Sequence, residues 1–196
     1  MSMKKKIGVL AIQGAFREHC KSLEKLGVEA VEVRSVDDLK GISGLIIPGG
    51  ESTAIGKQLE IDGFGDKIVE MAGEGFPIFG TCAGMILLSK KIDRSNQYSL
   101  GLLDISVKRN AFGRQIASFE ADIPVKGLKG GNLRAVFIRA PYVTEAGPEL
   151  DVLAAYAGKI VLVQDDHILA SAFHPELTDD TRIHEYFINI VDQYRK

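Results

Sequence analysis

Apolar positions follow one rhythm in the first half of this chain and another in the second. Residues 6–12, Lys-Ile-Gly-Val-Leu-Ala-Ile, form a continuous run that predicts a buried strand. Residues 15–26 place Phe16, Cys20, Leu23 and Leu26 on one helical stripe that stops at Gly27, so Cys20 is expected in the core. Residues 28–33 and 44–47 read as further strands, the second broken by Pro48-Gly49-Gly50. Two helices interrupted at Gly63 fill 52–74, and a strand at 76–79 leads through a glycine turn into a helix over 84–91. Strand and helix alternate, which predicts a parallel sheet covered on both faces. The working loops of such sheets lie at the carboxyl ends of the strands. Gly49-Gly50 and Cys82 are therefore expected to face one crevice.

From residue 103 the pattern turns to short β-rich segments at 103–108, 116–123, 134–138, 152–156, 159–164 and 168–173. Ala157-Gly158 and Asp165-Asp166 read as hairpin turns. A last helix over 181–194 carries Ile183, Phe187, Ile190 and Val191 towards the core. No repeat, low-complexity segment or linker divides the chain. Residues 1–196 are read as one domain of α/β class, a three-layer, mostly parallel sheet flanked by helices with a β-rich second half.

Composition narrows the function classes. Hydrophobic content of 45% and charged content of 26% suit a globular protein in water. The net charge is −2 and Lys4-Lys5-Lys6 is the sole basic cluster, so neither nucleic acid nor an acidic membrane surface is expected as partner. No apolar window reaches the roughly 18 residues of a membrane span, and the start of the chain lacks a signal-peptide cleavage site. Two cysteines, Cys20 and Cys82, make no disulfide framework, which favours a reducing cytoplasm. His19, His167, His174 and His184 have no ligand-like spacing, so no metal or cofactor is expected.

The candidate chemistry centres on Gly80-Thr81-Cys82-Ala83-Gly84, between an apolar strand and a helix. This is the context of a nucleophile elbow with cysteine in place of serine. The turn strains the central residue, and side chains at the flanking positions would collide with strand and helix. At the helix N-terminus the macrodipole favours an ionised, nucleophilic sulfur. Far downstream, His174-Pro175-Glu176 ends a strand. Histidine can take and return the nucleophile's proton, and a carboxylate can fix its tautomer. Proline pushes His174 towards an extended conformation, in which residues two apart point the same way, so ring and carboxylate are expected side by side. Between strand and helix, Pro48-Gly49-Gly50-Glu51-Ser52-Thr53 offers backbone N–H groups for an oxyanion, with Ala83 N–H as second donor, while Ser52 or Thr53 caps the helix.

Gly-Gly, Gly-x-Cys-x-Gly and His-Pro-Glu in this order resemble class I glutamine amidotransferases. Residues 11–19, 48–53, 109–115 and 137–141 resemble, within that family, the glutaminase subunits of two-component pyridoxal 5′-phosphate synthases. The similarity runs nearly end to end, with no departure at a motif position. It implies hydrolysis of L-glutamine to L-glutamate and ammonia through a cysteine thioester. It also implies a barrel-shaped synthase subunit as partner, which receives the ammonia for pyridoxal phosphate formation. Carried over by position, Cys82 is the nucleophile, His174 the acid/base and Glu176 its orienter. Gly50, Glu51, Ser52, Arg109, Ile138 and Arg139 fall where glutamine is contacted, and Gly49, Gly50 and Ala83 serve the oxyanion. From chemistry alone, Arg109 or Arg139 can clamp an α-carboxylate, but nothing selects glutamine over another amide. Gln13 and His19 are candidate relays of partner docking; the plainer alternative makes both polar surface residues. Two other readings compete. Cysteine hydrolases of the peptidase/deglycase type place histidine directly after the cysteine, where this chain has Ala83. A non-catalytic module would not need Cys82, His174 and Glu176 together.

Overall fold

The protein's structure, a computed structural model, describes residues 5–61, 63–110 and 118–194. The expected strand positions 116–117 and the motif positions 111–115 lie outside the described residues. The parallel part of the fold comprises β1 (Lys6–Leu10), β2 (Glu29–Val33), β3 (Gly44–Ile47), β4 (Ile78–Thr81) and β12 (Ile168–Ser171). Their spatial order is β2-β1-β3-β4-β12, each neighbour pair parallel. These strands are apolar on both faces because helices cover both. On β4, Phe79 packs edge-on against the rings of His19 and His184, which belong to helices α1 (Phe16–Lys25) and α5 (Arg182–Tyr194). The next residue points the opposite way. A Cβ on Gly80 would meet Leu88 and Gly84 of helix α4 (Ala83–Leu88) at 2.5 and 2.6 Å. Helices α2 (Ser52–Ile61) and α3 (Phe64–Gly73) complete the set, α2 packing against both α3 and α4.

Beyond β12 the ten-stranded sheet continues with mostly antiparallel pairings through β11 (Lys159–Asp165), β9 (Tyr142–Ala146), β6 (Leu103–Lys108) and β5 (Ser89–Ile92), with β10 (Asp151–Tyr156) paired to β11. Strands β7 (Ser118–Ile123) and β8 (Leu133–Ile138) form a separate antiparallel pair. Among the described residues no helix is long and apolar enough to cross a membrane.

Four expectations shift for identifiable reasons. Pro77 has no N–H to donate, so β4 begins after it, although its carbonyl accepts from Leu45 N–H at 3.0 Å. Ser89 ends α4 early: its hydroxyl donates to Ile86 O at 2.7 Å and its backbone is extended, opening β5 where a helix was expected. Strand β9 escapes the pattern because Val143 is its one buried side chain, leaving no alternation to read. Cys20 is half-buried rather than core; the buried face of α1 is His19, Ser22 and Leu23.

Candidate active site

The register of the parallel strands brings distant residues together. Thr81 pairs with Ser171 at the ends of β4 and β12, so Cys82 and the segment approaching His174 leave the sheet at the same edge. Cys82 N–H donates to Ser171 O at 2.8 Å, which locks the elbow to that edge. Cys82 itself sits at φ 49°, ψ −99°, a sparsely populated region that costs on the order of 1–3 kcal/mol and persists where its surroundings enforce it. The flanking glycines are the enforcement. A Cβ on Gly84 would lie 2.1 Å from Ile47 O, and one on Gly80 2.7 Å from Gly84 O, both backbone atoms with nowhere to go. The expected elbow is therefore present, with its sulfur 3.8 Å from Ile138 O.

His174 is held by its own N–H, which donates to Val136 O at 2.8 Å, and lines the same pocket as Cys82. Its Nδ1–H donates to Glu176 Oε1 at 2.7 Å. The pairing does not arise from an extended chain. His174 has ψ 88° and Pro175–Leu177 forms one 3-10 turn, so Glu176 folds back beneath the ring through the turn that proline starts. Burial alone would lower the pKa of His174; the neighbouring Cys82 and the hydrogen bond and charge of Glu176 overturn it and push it up to about 10. Burial likewise works against the Glu176 carboxylate, but the flanking imidazoles His19 and His174 bring its pKa below the ordinary range. Since burial also holds His19 neutral, the hydrogen bond from His174 is the contribution that persists.

The glycine loop after β3 borders the same space. Gly49 N–H donates to Thr81 Oγ1 at 3.1 Å, and Gly49 O accepts from Ala15 N–H at 3.1 Å. Because a peptide's C=O and following N–H point in opposite directions, Gly50 N–H is directed away from the 13–15 loop. Helix α2 is capped neither by Ser52 nor by Thr53. The Glu51 carboxylate accepts from Thr53 N–H at 3.0 Å and Ala54 N–H at 2.8 Å, while Glu51 N–H donates to Gln13 Oε1 at 2.7 Å. One pocket collects these residues. Gly49, Gly50, Glu51, Ser52, Cys82, Ala83, Arg109, Ile138, Arg139 and His174 all line it, together with Gln13; Glu176 stands behind His174, outside the lining.

A strained cysteine paired with a carboxylate-oriented histidine, beside a glycine loop, suits acyl transfer from an amide. Comparison with known proteins narrows this. Residues 9–193 match the model of the SNO glutamine amidotransferase family. The chain belongs to the SNO glutamine amidotransferase family. Two relatives are each called pyridoxal 5′-phosphate synthase subunit PdxT. The one from Carboxydothermus hydrogenoformans is 55% identical over 95% of this chain and 97% of its own length. The one from Pelotomaculum thermopropionicum is 56% identical over 93% of each chain. A crystal structure described as a glutamine amidotransferase superposes with a TM-score of 0.91 at 49% identity, covering 95% of this chain and 98% of that one.

Beside Ser52 and Arg109 on the pocket wall, a polar cluster gathers around Gln97. Arg109 Nη1 donates to Gln97 Oε1 and, at 3.3 Å, to Thr53 Oγ1. Ser52 and Thr53 hydroxyls converge on the same Gln97 oxygen at 3.3 Å. Asn110 and Arg139, both on the pocket wall, have φ of 46° and 43°, so the backbone is strained on this side as well. Gln97 was not foreseen; it lies in an irregular segment with no motif to mark it. Thr81 and His184 were also missed. Thr81 was read only as the variable position of the elbow, and His184 was weighed only as a metal ligand and set aside. His19 is not a surface residue: it is fully buried.

Proposed function

We propose that the chain is the glutaminase subunit of a pyridoxal 5′-phosphate synthase, with Cys82, His174 and Glu176 as its triad. Cys82 sulfur attacks the side-chain carbonyl carbon of L-glutamine, and the oxyanion so formed is met by the N–H groups of Gly50 and Ala83; Gly49 N–H, expected as a further donor, is instead taken up by Thr81 Oγ1. His174 passes its proton to the departing nitrogen, which leaves as ammonia and creates the thioester. His174 then takes a proton from water as the water attacks. Glutamate leaves, and the proton returns to the sulfur. Glu176 keeps the imidazole oriented and stabilises its charged form. Arg109 or Arg139 holds the α-carboxylate, Glu51 is the anion available to the α-ammonium, and Gly50, Ser52 and Ile138 complete the contacts. The ammonia is delivered to a barrel-shaped synthase subunit. The subunit works in the cytoplasm as one domain.

The observation that carries this reading is the 2.7 Å bond from His174 to Glu176 beside a cysteine at positive φ. The PdxT relatives and the matched family support the substrate and the partner. Glutamate release measured as the synthase subunit is titrated in tests it. A low rate alone that rises and saturates is expected. No glutamate at any ratio contradicts the assignment, and a rate maximal without partner removes partner gating.

A further inference from the structure

The triad uses one oxygen of Glu176 and leaves the other facing the interior. Oε1 accepts from His174; Oε2 is buried with no conventional hydrogen bond. His19 Nε2 lies 3.4 Å from it, on a fully buried ring of α1. The same nitrogen lies 3.1 Å from Thr81 Oγ1, the hydroxyl that accepts Gly49 N–H. On its other side, His19 Nδ1 lies 2.9 Å from His184 Nε2 on α5. Two imidazoles with no place in the reaction thus sit in line behind the catalytic carboxylate.

The tautomers follow from electrostatics. A bare lone pair on His19 Nε2 would face the carboxylate lone pairs and would force a proton onto Nδ1. His184 would then accept through Nε2 and carry an N–H on Nδ1. That nitrogen is buried and has no partner, and an orphaned buried donor costs more than an orphaned lone pair. With the proton on Nε2 of each ring, His184 donates to His19, and His19 donates towards Glu176 Oε2 and Thr81 Oγ1. Burial holds both rings neutral, so each keeps one donor and one acceptor.

We propose that His19, held in its tautomer by His184, is a positioning residue that fixes Glu176 from behind and couples it through Thr81 to the oxyanion loop. It touches neither substrate nor the reacting sulfur. This rests on Glu176 being the orienter of His174. Without the His19 N–H, a buried carboxylate oxygen faces no donor at all, and the resulting loss of hold on Glu176 should slow turnover by about tenfold without changing the pocket that holds glutamine.

Glutamate release by the chain assembled with its synthase partner, compared for wild type, His19→Leu and His19→Gln, tests it, with melting temperatures in parallel. His19→Leu should lower kcat about tenfold with KM for glutamine within about twofold. Glutamine at position 19 can place an amide N–H where Nε2–H stands, and should recover most of that loss. A kcat for His19→Leu within twofold of wild type, or His19→Gln no better than His19→Leu, overturns the proposal. Long-range ¹H–¹⁵N correlation on the unmutated chain needs no variant to fold. A neutral His19 protonated on Nε2 is expected, and a proton on Nδ1 overturns the proposal. If wild type itself releases no glutamate, the functional assignment fails, and the tautomer measurement still reads the His19–Glu176 contact.

Discussion

Gly49→Ala should disable the enzyme through one methyl group. The backbone at Gly49 is not in the left-handed region, so alanine adds no strain of its own. The difficulty is space. The new Cβ would sit 2.3 Å from His174 Cε1, 2.9 Å from Nδ1 and 3.4 Å from Cys82 Cβ. Ordinary contact begins near the last of these distances, so the ring must retreat by roughly 1 Å. The 2.7 Å bond to Glu176 cannot survive that shift in its present geometry. Misplacement of a catalytic group by about 1 Å costs on the order of a hundredfold in rate, or about 2.7 kcal/mol of barrier. Gly73→Ala serves as the control. It ends α3 with nothing within 4 Å of an added Cβ, and should leave turnover unchanged while adding up to about 1 kcal/mol of stability. Glutamate release in the presence of the synthase subunit, with thermal unfolding of each variant, reads both effects. A Gly49→Ala variant within twofold of wild-type turnover would refute the packing of His174 against this loop.

Other consequences follow from the same site. His174→Ala should abolish nearly all glutamate release and Glu176→Gln should leave a measurable remainder, while the double variant loses little more than His174→Ala; strictly additive losses in kcat would contradict a shared unit. Arg109→Ala should raise the glutamine concentration needed for half-maximal rate by roughly tenfold or more, and an unchanged dependence removes Arg109 from the site. Stability should peak near pH 6.5, about the ordinary histidine pKa. Below it the unfolded chain protonates His19 and His184, which burial keeps neutral in the fold, His184 down to about 3. Above it the stability from protonated His174 is lost as pH rises through about 10, each fully counted group contributing up to about 1.4 kcal/mol per pH unit. A monotonic rise in melting temperature from pH 5 to pH 9 would falsify this balance.

Most of the parallel half was legible in the sequence because both-face burial leaves continuous apolar runs, such as Gly44–Ile47, bounded by glycine or proline. The elbow was legible because only glycine fits against Ile47 O and Gly84 O, so steric need leaves its mark on the chain. Strand β9 was not, since one inward side chain makes no pattern. The His174–Glu176 pair was foreseen with the wrong backbone: proline suits an extended chain and the first position of a turn equally, and the turn won. Glu51 took over the capping expected of Ser52 or Thr53, because its carboxylate reaches two N–H groups at once and frees both hydroxyls for Gln97. Cys20 and His19 exchanged places for a similar reason. Periodicity favours the apolar thiol for the core, but His19 finds Thr81, His184 and Glu176 inside, and a buried polar ring with partners is stable there.

The central claim is that Cys82 forms the covalent bond to the substrate's carbonyl carbon. A diazoketone analogue of glutamine incubated with the chain and its synthase partner, followed by peptide mass mapping, tests it directly. One adduct on Cys82, lost in His174→Ala and blocked by excess glutamine, is the predicted result. Burial and the charges of Glu32 and Glu24 push the Cys20 thiol up to about 11, so it should stay unmodified. Label on Cys20 with Cys82 untouched would contradict the account.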